Sequence, residues 1–451
     1  MGARFEIRRG RSVSSNGSTR IALLPSEPIR EKMAGIGIRY AELARRLPKL
    51  ADSHGHRLDV VLINPGDVQA EGAADVLDGL GCEVRTFERG RLNELTADCD
   101  GIVTQGQLAN DVVIECPDLP TAIDFYDPFL VENLSYYDTL GLDPYRNDHA
   151  TWTLQFTRGD FFLCSSDEQR QFYLGVLTAL GRLNPERVKQ DPDLQTLVAA
   201  VPFGVPDTLP DPEPLLGERR PGQKRLLFGG LYDWYDPWPV LEAFATCDEP
   251  EWTLLFVRNP NPEATPQKLF RDVESWCRER KLWGTRVEVL DWIPSNRRFD
   301  LLREVDLLVS THRINLETRL SLRTRFLDAL AAGCPVVTSA GGAMSRLLHE
   351  HGAGWVTPPG DAAALENAFR EILTGPDAQQ RIDEKRRGGH ALLEHFTWER
   401  ALAPLVRFCE NPWRDNTKDE FAVRPETVAP PDPLAFRIRR RVRQSVRRWL
   451  G

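Results

Sequence analysis

The stretch from Asn315 to Gly342 reads NLETRLSLRTRFLDALAAGCPVVTSAGG and decides the fold class of the chain. Leu327 and Leu330 recur at helical spacing, and the following Gly333 predicts that the helix ends there. Pro335–Thr338 is a short β-branched run of the kind that forms a buried parallel strand. The order of loop, helix, strand and diglycine turn is typical of an open α/β sheet, in which ligands bind where the strands end. We therefore expect functional residues at the start of this helix and in the turn after the strand.

Length and composition are those of an ordinary globular chain. At 451 residues, the sequence is long enough for two or three domains, each with its own core. No run of about 18 apolar residues occurs, so no transmembrane helix is expected. The basic, Ser-rich start of the chain lacks the apolar segment of a signal peptide. Residues 1–19 are therefore predicted to form a disordered leader.

Cysteine spacing and charge argue against several classes of function. The eight cysteines form no CxxC pair, so we expect buried thiols, no disulfide and no metal site. The formal net charge is −9, although residues 437–448 contain seven arginines and no acidic residue. The rest of the chain therefore carries −16, by subtraction of 7 from −9. Because a nucleic-acid enzyme spreads basic residues over its binding face, no nucleic-acid partner is expected.

A loop that contains glycines follows the first predicted strand. The strand is Ile21–Leu24, and Gly35 and Gly37 lie between it and a helical pattern that includes Leu43. Glycines at this position allow backbone N–H groups to approach an anionic ligand at a helix N-terminus. A flexible turn without a ligand explains the same pattern about equally well.

Polar residues also follow a later strand of the first half. The segment Leu119–Phe129 is mainly apolar up to Ile123 and then contains Asp124, Tyr126 and Asp127. A tyrosine beside a carboxylate can hydrogen-bond a hydroxyl group or a phosphate. An Asp-Pro pair that only initiates a turn is the alternative interpretation.

The second half of the chain restarts with a strand that runs into glycines. Residues 225–228 lead to Gly229 and Gly230, and a run rich in Tyr, Trp and Asp follows them. Further along, three arginines lie within seven residues near the predicted helix of the opening stretch, namely Arg319, Arg323 and Arg325. Guanidinium groups suit bidentate phosphate binding, and a solvated basic turn is the alternative.

The segment Asp328–Gly342 resembles the donor-binding signature of the retaining GT-B-fold glycosyltransferases called family 4, or glycosyl transferases group 1. In that family, two Glu residues eight positions apart bracket the helix start. The first contacts the transferred sugar and the second holds the nucleotide ribose. Asp328 matches the second position, whereas the first falls on Leu320 and the nearest carboxylate is Glu317. The resemblance implies that Asp328 holds the ribose and that Glu317 orients the sugar.

Other positions depart from the family. Tyr126 falls on the position of a family His, and Asp127 on the Asp that follows it, so the resemblance places both on the acceptor side. The Arg and Lys that bind the donor diphosphate in the family are absent after Gly230. Because a departing diphosphate needs positive charge in a low-dielectric site, we expect Arg319, Arg323 and Arg325 to replace them.

Glycine turns complete the donor site that the resemblance implies. The family places such turns near the donor phosphates, the transferred sugar or the acceptor. Here they correspond to Gly35, Gly37, Gly229, Gly230, Gly341 and Gly342.

The resemblance also predicts the architecture. It implies an α/β fold of the GT-B class, with two Rossmann-like, doubly wound parallel-sheet domains that face a central cleft and a basic C-terminal tail. The predicted parts are a leader (1–19), an acceptor-side domain (20–206), a linker (207–224), a donor-side domain (225–390), a helix that crosses back to the first domain (391–412), and a Pro-rich linker with the tail (413–451).

The function that the resemblance predicts is glycosyl transfer. The sugar of a nucleoside-diphosphate sugar, the co-substrate, would move with retention to a hydroxyl of a glycan or lipid-linked glycan. No metal and no other cofactor is expected. The departures from the family indicate a divergent subgroup of the kind used in bacterial surface polysaccharide synthesis. Two alternatives are a non-catalytic GT-B-like binding or scaffold subunit and a sugar-nucleotide epimerase or hydrolase.

The end of the chain has an amphipathic pattern over residues 436–451. Ile438, Val442 and Trp449 gather on one side of a helix, and most of the arginines lie on the other. Such a helix is attracted to anionic lipid by about 1 kcal/mol per basic residue. A disordered solubilising tail and a docking helix for an acidic partner are the alternatives. We expect a cytoplasmic protein that binds peripherally to the inner face of the cell membrane.

Overall fold

The computed structural model describes residues 18–67, 72–259 and 267–423. These residues form two α/β domains, each built on one parallel sheet. Ser18 and Thr19, which were predicted to belong to the leader, lie in the first strand, and residues 1–17 lie outside the described part.

Seven parallel strands form the sheet of the first domain. They are β1 (Ser18–Leu24), β2 (Arg57–Asn64), β3 (Glu83–Thr86), β4 (Gly101–Gln105), β5 (Thr121–Asp124), β6 (Phe161–Cys164) and β7 (Val198–Ala200). Their order across the sheet is β3-β2-β1-β4-β5-β6-β7. The order reverses between β1 and β4, which leaves a crevice at the carboxyl ends of these two strands.

The strands of this sheet are apolar because both faces are covered. In β1, Ile21 and Leu23 face one buried cluster, whereas Ala22 and Leu24 face another. The covering helices are α1 (Gly35–Ser53), α2 (Ala74–Asp78), α3 (Leu92–Leu95), α4 (Leu108–Glu115), α5 (Phe129–Asn133), α6 (Tyr137–Leu140), α7 (Leu142–Arg158), α8 (Asp167–Ala179) and α9 (Pro185–Gln190). Continuous apolar strands are the usual consequence of such two-sided burial.

Six parallel strands form the sheet of the second domain. They are β8 (Lys224–Gly230), β9 (Trp252–Val257), β10 (Val287–Leu290), β11 (Leu307–Ser310), β12 (Val336–Ser339) and β13 (Trp355–Thr357). Their order is β10-β9-β8-β11-β12-β13, so the reversal lies between β8 and β11. The second domain therefore has a crevice equivalent to that of the first.

The helices of the second domain continue the numbering. They are α10 (Trp238–Thr246), α11 (Lys268–Glu279), α12 (Arg298–Glu304), α13 (Leu316–Leu320), α14 (Thr324–Ala331), α15 (Ala343–Glu350), α16 (Ala362–Leu373) and α17 (Ala378–Leu393). The helix and strand predicted in the opening stretch correspond to α14 and β12. The segment before α14, which the sequence suggested was only a loop, contains the short helix α13. Asn315 begins it, because its side-chain oxygen accepts a hydrogen bond from the Thr318 N–H.

Residues 207–223 contain no regular secondary structure. They nevertheless follow the surface of the second domain, since the N–H groups of Leu215 and Leu216 donate to the carboxylate of Glu304 in α12. This segment occupies the range predicted for the linker.

The chain returns to the first domain through α18 (Trp398–Glu410). Trp398, Leu402 and Leu405 join the same buried cluster as Ile21. This helix lies within the range 391–412 that was predicted to cross back.

Residues 411–423, which include α19 (Lys418–Phe421), differ from the linker predicted to begin at residue 413. Asp415 accepts a hydrogen bond from buried Arg182, with 2.8 Å between Oδ2 and Nη2, and Lys418 pairs with buried Asp160. A polar, Pro-containing sequence resembles a linker, but its charges here have buried partners on the first domain. Residues 424–451, with the predicted amphipathic tail at 436–451, lie outside the described residues.

All eight cysteines have free thiols, six of them buried. No helix within residues 18–67, 72–259 and 267–423 is long and apolar enough to cross a bilayer.

Candidate active site

The crevices of the two domains open onto one cleft. Leu320 of α13 is buried beside Phe125 and Val131 of the first domain. The ring of Tyr136 lies 5.9 Å from that of Trp234 across the cleft. Side chains of both domains therefore line the same space.

The crevice of the first domain is occupied by a carboxylate of the chain itself. The Ala34 N–H donates to Oε1 of Glu27 at 2.7 Å, and the Gly37 N–H donates to Oε2 at 2.9 Å. Burial raises the pKa of Glu27, and these hydrogen bonds oppose the rise. A Cβ atom on Gly37 would lie only 2.7 Å from Cβ of Met33. The loop therefore needs this glycine for close packing, and Glu27 already binds N–H groups that the sequence suggested for an external anion.

Gly35 and Tyr126, two predicted site residues, lie side by side. A Cβ atom on Gly35 would lie 2.9 Å from the Tyr126 hydroxyl. The Tyr126 ring covers Arg39, whose Cζ is 4.9 Å from the ring centre. Arg39 donates to the carboxylate of Asp124, with 2.6 Å between Nε and Oδ2, and both side chains are fully enclosed. Asp124 thus connects β5 to α1, whereas Tyr126 reaches the start of α1.

Acidic groups continue along the wall of the cleft that the first domain forms. Asp127 accepts a hydrogen bond from Nε2 of Gln105 at 3.1 Å. Burial, followed by the nearby charge of Asp124, raises the pKa of Asp127 to about 6. Glu132 in α5 was not identified from the sequence, because one Glu in a short helix carries no recognisable signal. Burial raises its pKa well above the usual range, and the charges of Asp127 and Glu317 add to the rise.

The second crevice brings two of the three predicted arginines together. Arg325 donates from Nη1 to the carbonyl oxygen of Phe228 at 3.1 Å and from Nη2 to the hydroxyl of Tyr235 at 2.7 Å. Arg323 lies beside the same ring, with its Cζ 4.9 Å from the ring centre. Gly229 has φ of 88°, and a Cβ atom there would lie 3.1 Å from Nη1 of Arg325. This left-handed turn leaves room for the arginine at the end of β8.

Glu317 lies against Arg323 and is not open to the cleft. Nη2 of Arg323 donates to both carboxylate oxygens of Glu317, at 2.7 and 3.0 Å. Glu317 is 3% exposed. The sequence suggested that Glu317 contacts the sugar directly, but the hidden ion pair formed through α13 places it behind Arg323.

The remaining predicted donor residues are distributed around the cleft. Arg319 is exposed and does not join the cluster at Tyr235. Asp328 is paired with Arg298, with 3.1 Å between Oδ2 and Nε. Burial raises the pKa of Asp328 and the charge of Arg298 opposes the rise. Arg298 was missed because it lies 30 positions before Asp328 in the sequence.

The glycine pairs take up the expected places at strand ends. Gly230 ends β8 beside the ring of Tyr232. Gly341 and Gly342 form the turn between β12 and α15, and a Cβ atom on Gly342 would lie 2.7 Å from the carbonyl oxygen of Thr318. The diglycine turn therefore lies directly against α13.

His312 is a buried residue that was not identified from the sequence as a candidate site residue. It follows β11, and its Nε2 lies 3.2 Å from Oγ of Ser310. Its Nδ1 has no hydrogen-bond partner in the described part of the chain. Burial, with the charges of Arg323 and Arg325, lowers the pKa of His312 well below the usual range. The imidazole is therefore neutral and adds no positive charge to the arginines.

The described residues contain no group of three or more His, Cys, Asp or Glu side chains arranged to hold a metal ion. Among the described residues, two guanidinium groups lie beside Tyr235 at the second crevice: that of Arg325 and that of Arg323, which is buried and paired with Glu317. The second domain thus offers guanidinium groups to the cleft, and the first domain offers carboxylates.

Two Rossmann-like domains that face a cleft, with a terminal helix returning to the first, define the GT-B fold. Solved structures with this fold are similar to the chain over most of its length. Anabaena Alr3699/HepE in complex with UDP-glucose is 16% identical, with a TM-score of 0.56, over 87% of this chain and 98% of that one. Sucrose-phosphate synthase of Thermosynechococcus elongatus is 17% identical, with a TM-score of 0.56, over 86% and 98%.

A third structure comes from lipopolysaccharide biosynthesis. The glycosyltransferase WaaG is 15% identical, with a TM-score of 0.52, over 86% of this chain and 98% of that one. At these identities the likeness shows the fold. By sequence, no curated protein matches the chain.

The second domain has a match to a family. Residues 225–375 match the family model described as glycosyl transferases group 1. The resemblance inferred from Asp328–Gly342 is thereby confirmed. The family match is limited to residues 225–375, and the GT-B fold extends over the chain as a whole.

Proposed function

We propose that the chain transfers a sugar from a nucleoside-diphosphate sugar to a hydroxyl group of a glycan or lipid-linked glycan. The observation that carries this proposal is the pair Arg323 and Arg325 at the crevice between β8 and β11. This is the point where an open α/β sheet binds its ligand. The solved structure of HepE with UDP-glucose, which has the same fold, supports a nucleotide sugar as donor.

In this proposal, the donor side stabilises the negative charge that develops during sugar transfer. When the bond from the sugar to the diphosphate breaks, negative charge accumulates on the departing diphosphate. Arg323 and Arg325 stabilise that charge, because preorganised donors in a partly dry site act without reorganisation. Glu317 orients Arg323, and Asp328 holds the ribose hydroxyls beside Arg298.

The acceptor side is the wall that contains Tyr126 and Asp127. The Tyr126 hydroxyl and the Asp127 carboxylate line the place where a sugar hydroxyl enters from the first domain. The acceptor oxygen bonds to the anomeric carbon as the bond to the diphosphate breaks, the acceptor proton passes to the released diphosphate, and the configuration is retained, as the resemblance to family 4 implies. A role in polysaccharide synthesis of the cell envelope, and peripheral association with the inner membrane surface through residues 436–451, complete the proposal.

A matched pair of arginine variants tests the donor site. Arg325→Ala removes one charge-assisted contact to the diphosphate, so we expect the affinity for the bound nucleoside diphosphate to fall about 10- to 100-fold. Arg319→Ala changes an exposed arginine of the same segment and should leave the affinity within about twofold. Affinities would be measured by titration calorimetry with UDP, GDP, dTDP and ADP. If none of these ligands binds the wild-type protein, the proposal is wrong.

A turnover assay separates the alternatives. A transferase releases nucleoside diphosphate from its donor sugar mainly when an acceptor glycan is added. A hydrolase releases it at full rate without acceptor. A scaffold subunit binds the ligand and releases nothing under either condition.

A further inference from the structure

Tyr235 connects the two arginines of the second crevice. Its hydroxyl oxygen accepts a hydrogen bond from Nη2 of Arg325 at 2.7 Å. Its ring centre lies 4.6 Å from Cζ of Arg325 and 4.9 Å from Cζ of Arg323. The side chain is 5% exposed, so this arrangement is enclosed.

Such a connection is needed because the two guanidinium groups carry the same charge. Like charges that contact the same ring repel each other, and the repulsion is stronger away from bulk water. An aromatic face attracts cations and offsets part of that repulsion. Arg323 has Glu317 as a further partner. Arg325 depends more on Tyr235, since its other hydrogen bond goes to the neutral carbonyl of Phe228.

The backbone around Tyr235 fixes its place in the sheet. Tyr235 forms an isolated antiparallel bridge with His312, so the segment after β8 is joined to the segment after β11. The two rings lie 5.1 Å apart. Since the imidazole of His312 is neutral, it supports the tyrosine ring and does not repel the arginines. Tyr235 is thus held at the crevice where the strand order reverses.

We propose that Tyr235 is a positioning residue for the donor diphosphate. It holds the guanidinium groups of Arg323 and Arg325 against one ring, so that both meet the two phosphates of one ligand. The segment after β8 thereby supplies an aromatic support in place of cations of its own. This inference rests on the proposed function, in which the two arginines bind the diphosphate.

A positioning role predicts a selective loss of affinity. A nucleoside monophosphate has one phosphate, so holding the two arginines in fixed positions increases its affinity only a little. A nucleoside diphosphate presents two phosphates, so contacts with both arginines increase its affinity. Loosening Arg325 should therefore lower the ratio of diphosphate to monophosphate affinity, which a merely destabilised domain would not do.

The test uses two substitutions at one position. Tyr235→Phe keeps the ring and removes the hydroxyl that binds Arg325, and we expect the diphosphate affinity to fall about three- to tenfold. Tyr235→Leu removes the ring as well, with an expected fall of about tenfold or more. Monophosphate affinity should change by less than about twofold in Tyr235→Phe. Titration calorimetry with UDP, GDP, dTDP, ADP and the matching monophosphates gives both constants.

Tyr173→Phe is the matched control. Tyr173 is fully buried in the first domain, and its hydroxyl donates to the carbonyl oxygen of Phe125 at 2.9 Å. The control loses the same atom and a hydrogen bond of similar length away from the arginines. It should keep the wild-type affinity ratio.

The outcomes are distinct. If the wild type binds a diphosphate and both Tyr235 variants keep its affinity ratio, the positioning role is refuted while the donor site stands. If the wild type binds none of the diphosphates, the proposed function itself fails. Should Tyr235→Leu not fold, Tyr235→Phe alone decides the question.

Discussion

The crevice of the first domain and that of the second lie at equivalent points of their sheets, where the strand order reverses. In the first, the carboxylate of Glu27 accepts hydrogen bonds from the backbone at the start of α1. In the second, Arg323 and Arg325 gather around one tyrosine. The same topology therefore carries opposite charges in the two domains.

This difference shows how two domains with the same topology can serve two different tasks. Strand order fixes where a ligand can enter, because the loops diverge at the reversal. Side chains that arrive from other elements then fix which charge is accepted there. The carboxylate of Glu27 disfavours an anion in the first crevice, whereas the guanidinium groups of the second favour one.

Removing Glu317 should alter the second crevice most. Glu317→Ala leaves the buried charge of Arg323 without its partner, so we expect a loss of about 3–5 kcal/mol in the free energy of unfolding. Urea denaturation measures this loss. The double variant Glu317→Ala/Arg323→Leu removes both charges and should regain most of it. A single-variant loss below about 1 kcal/mol would contradict the buried ion pair.

Neutralising Asp127, which lies at the first crevice, should change the free energy of unfolding by an amount that depends on pH. Its pKa is raised from 3.8 to about 6, so the folded protein binds this proton more tightly than the unfolded chain does. At low pH, where the side chain is protonated in both states, Asp127 does not lower the free energy of unfolding. As pH rises from 3.8 to about 6, the ionised carboxylate destabilises the folded state increasingly, and above about 6 the destabilisation is complete. Asp127→Asn should stabilise the protein by about 1–3 kcal/mol at pH 8 and by much less at pH 4.

Chemical denaturation at the two pH values measures the effect of Asp127→Asn. An equal effect of Asp127→Asn at both values would show that Asp127 has an ordinary pKa.

Removing Glu27 should have the smallest effect on stability and would make the two crevices more alike. Glu27→Ala frees the N–H groups of Ala34 and Gly37, with an expected cost of about 0.5–2 kcal/mol, as for a lost helix cap. Inorganic phosphate should then raise the melting temperature of the variant and not that of the wild type. Glu27→Gln keeps an acceptor oxygen without the charge and should lose less stability. Absence of any phosphate effect in Glu27→Ala would mean that Glu27 only closes the loop.

Much of the fold followed from local patterns. The helix near Leu327 and the strand after Pro335 were both predicted, because spacing and β-branching act within a few residues. Asn315 and the short helix that it begins were missed, since five residues give no clear period. The ionic contacts of Asp415 and Lys418 were missed as well, because their partners lie more than 200 positions earlier in the chain.

The candidate site was predicted in part. The sequence indicated which strand ends carry glycines and that arginines lie near the start of α14, because these residues are close in sequence to those elements. It did not indicate that Glu317 is hidden behind Arg323, that Glu27 fills the start of α1, or that Tyr235 joins two arginines.

By itself, the sequence determined the class of fold and the helix and strand of the stretch in which we propose a donor site, since those properties depend on short-range order along the chain. Only the tertiary structure decided which charges meet and which remain open to a ligand. An ion pair or an aromatic contact forms between side chains about 3–5 Å apart, whatever their separation in sequence. Folding brings Arg325 next to Tyr235 across 90 positions, and that proximity gives the second crevice its chemistry.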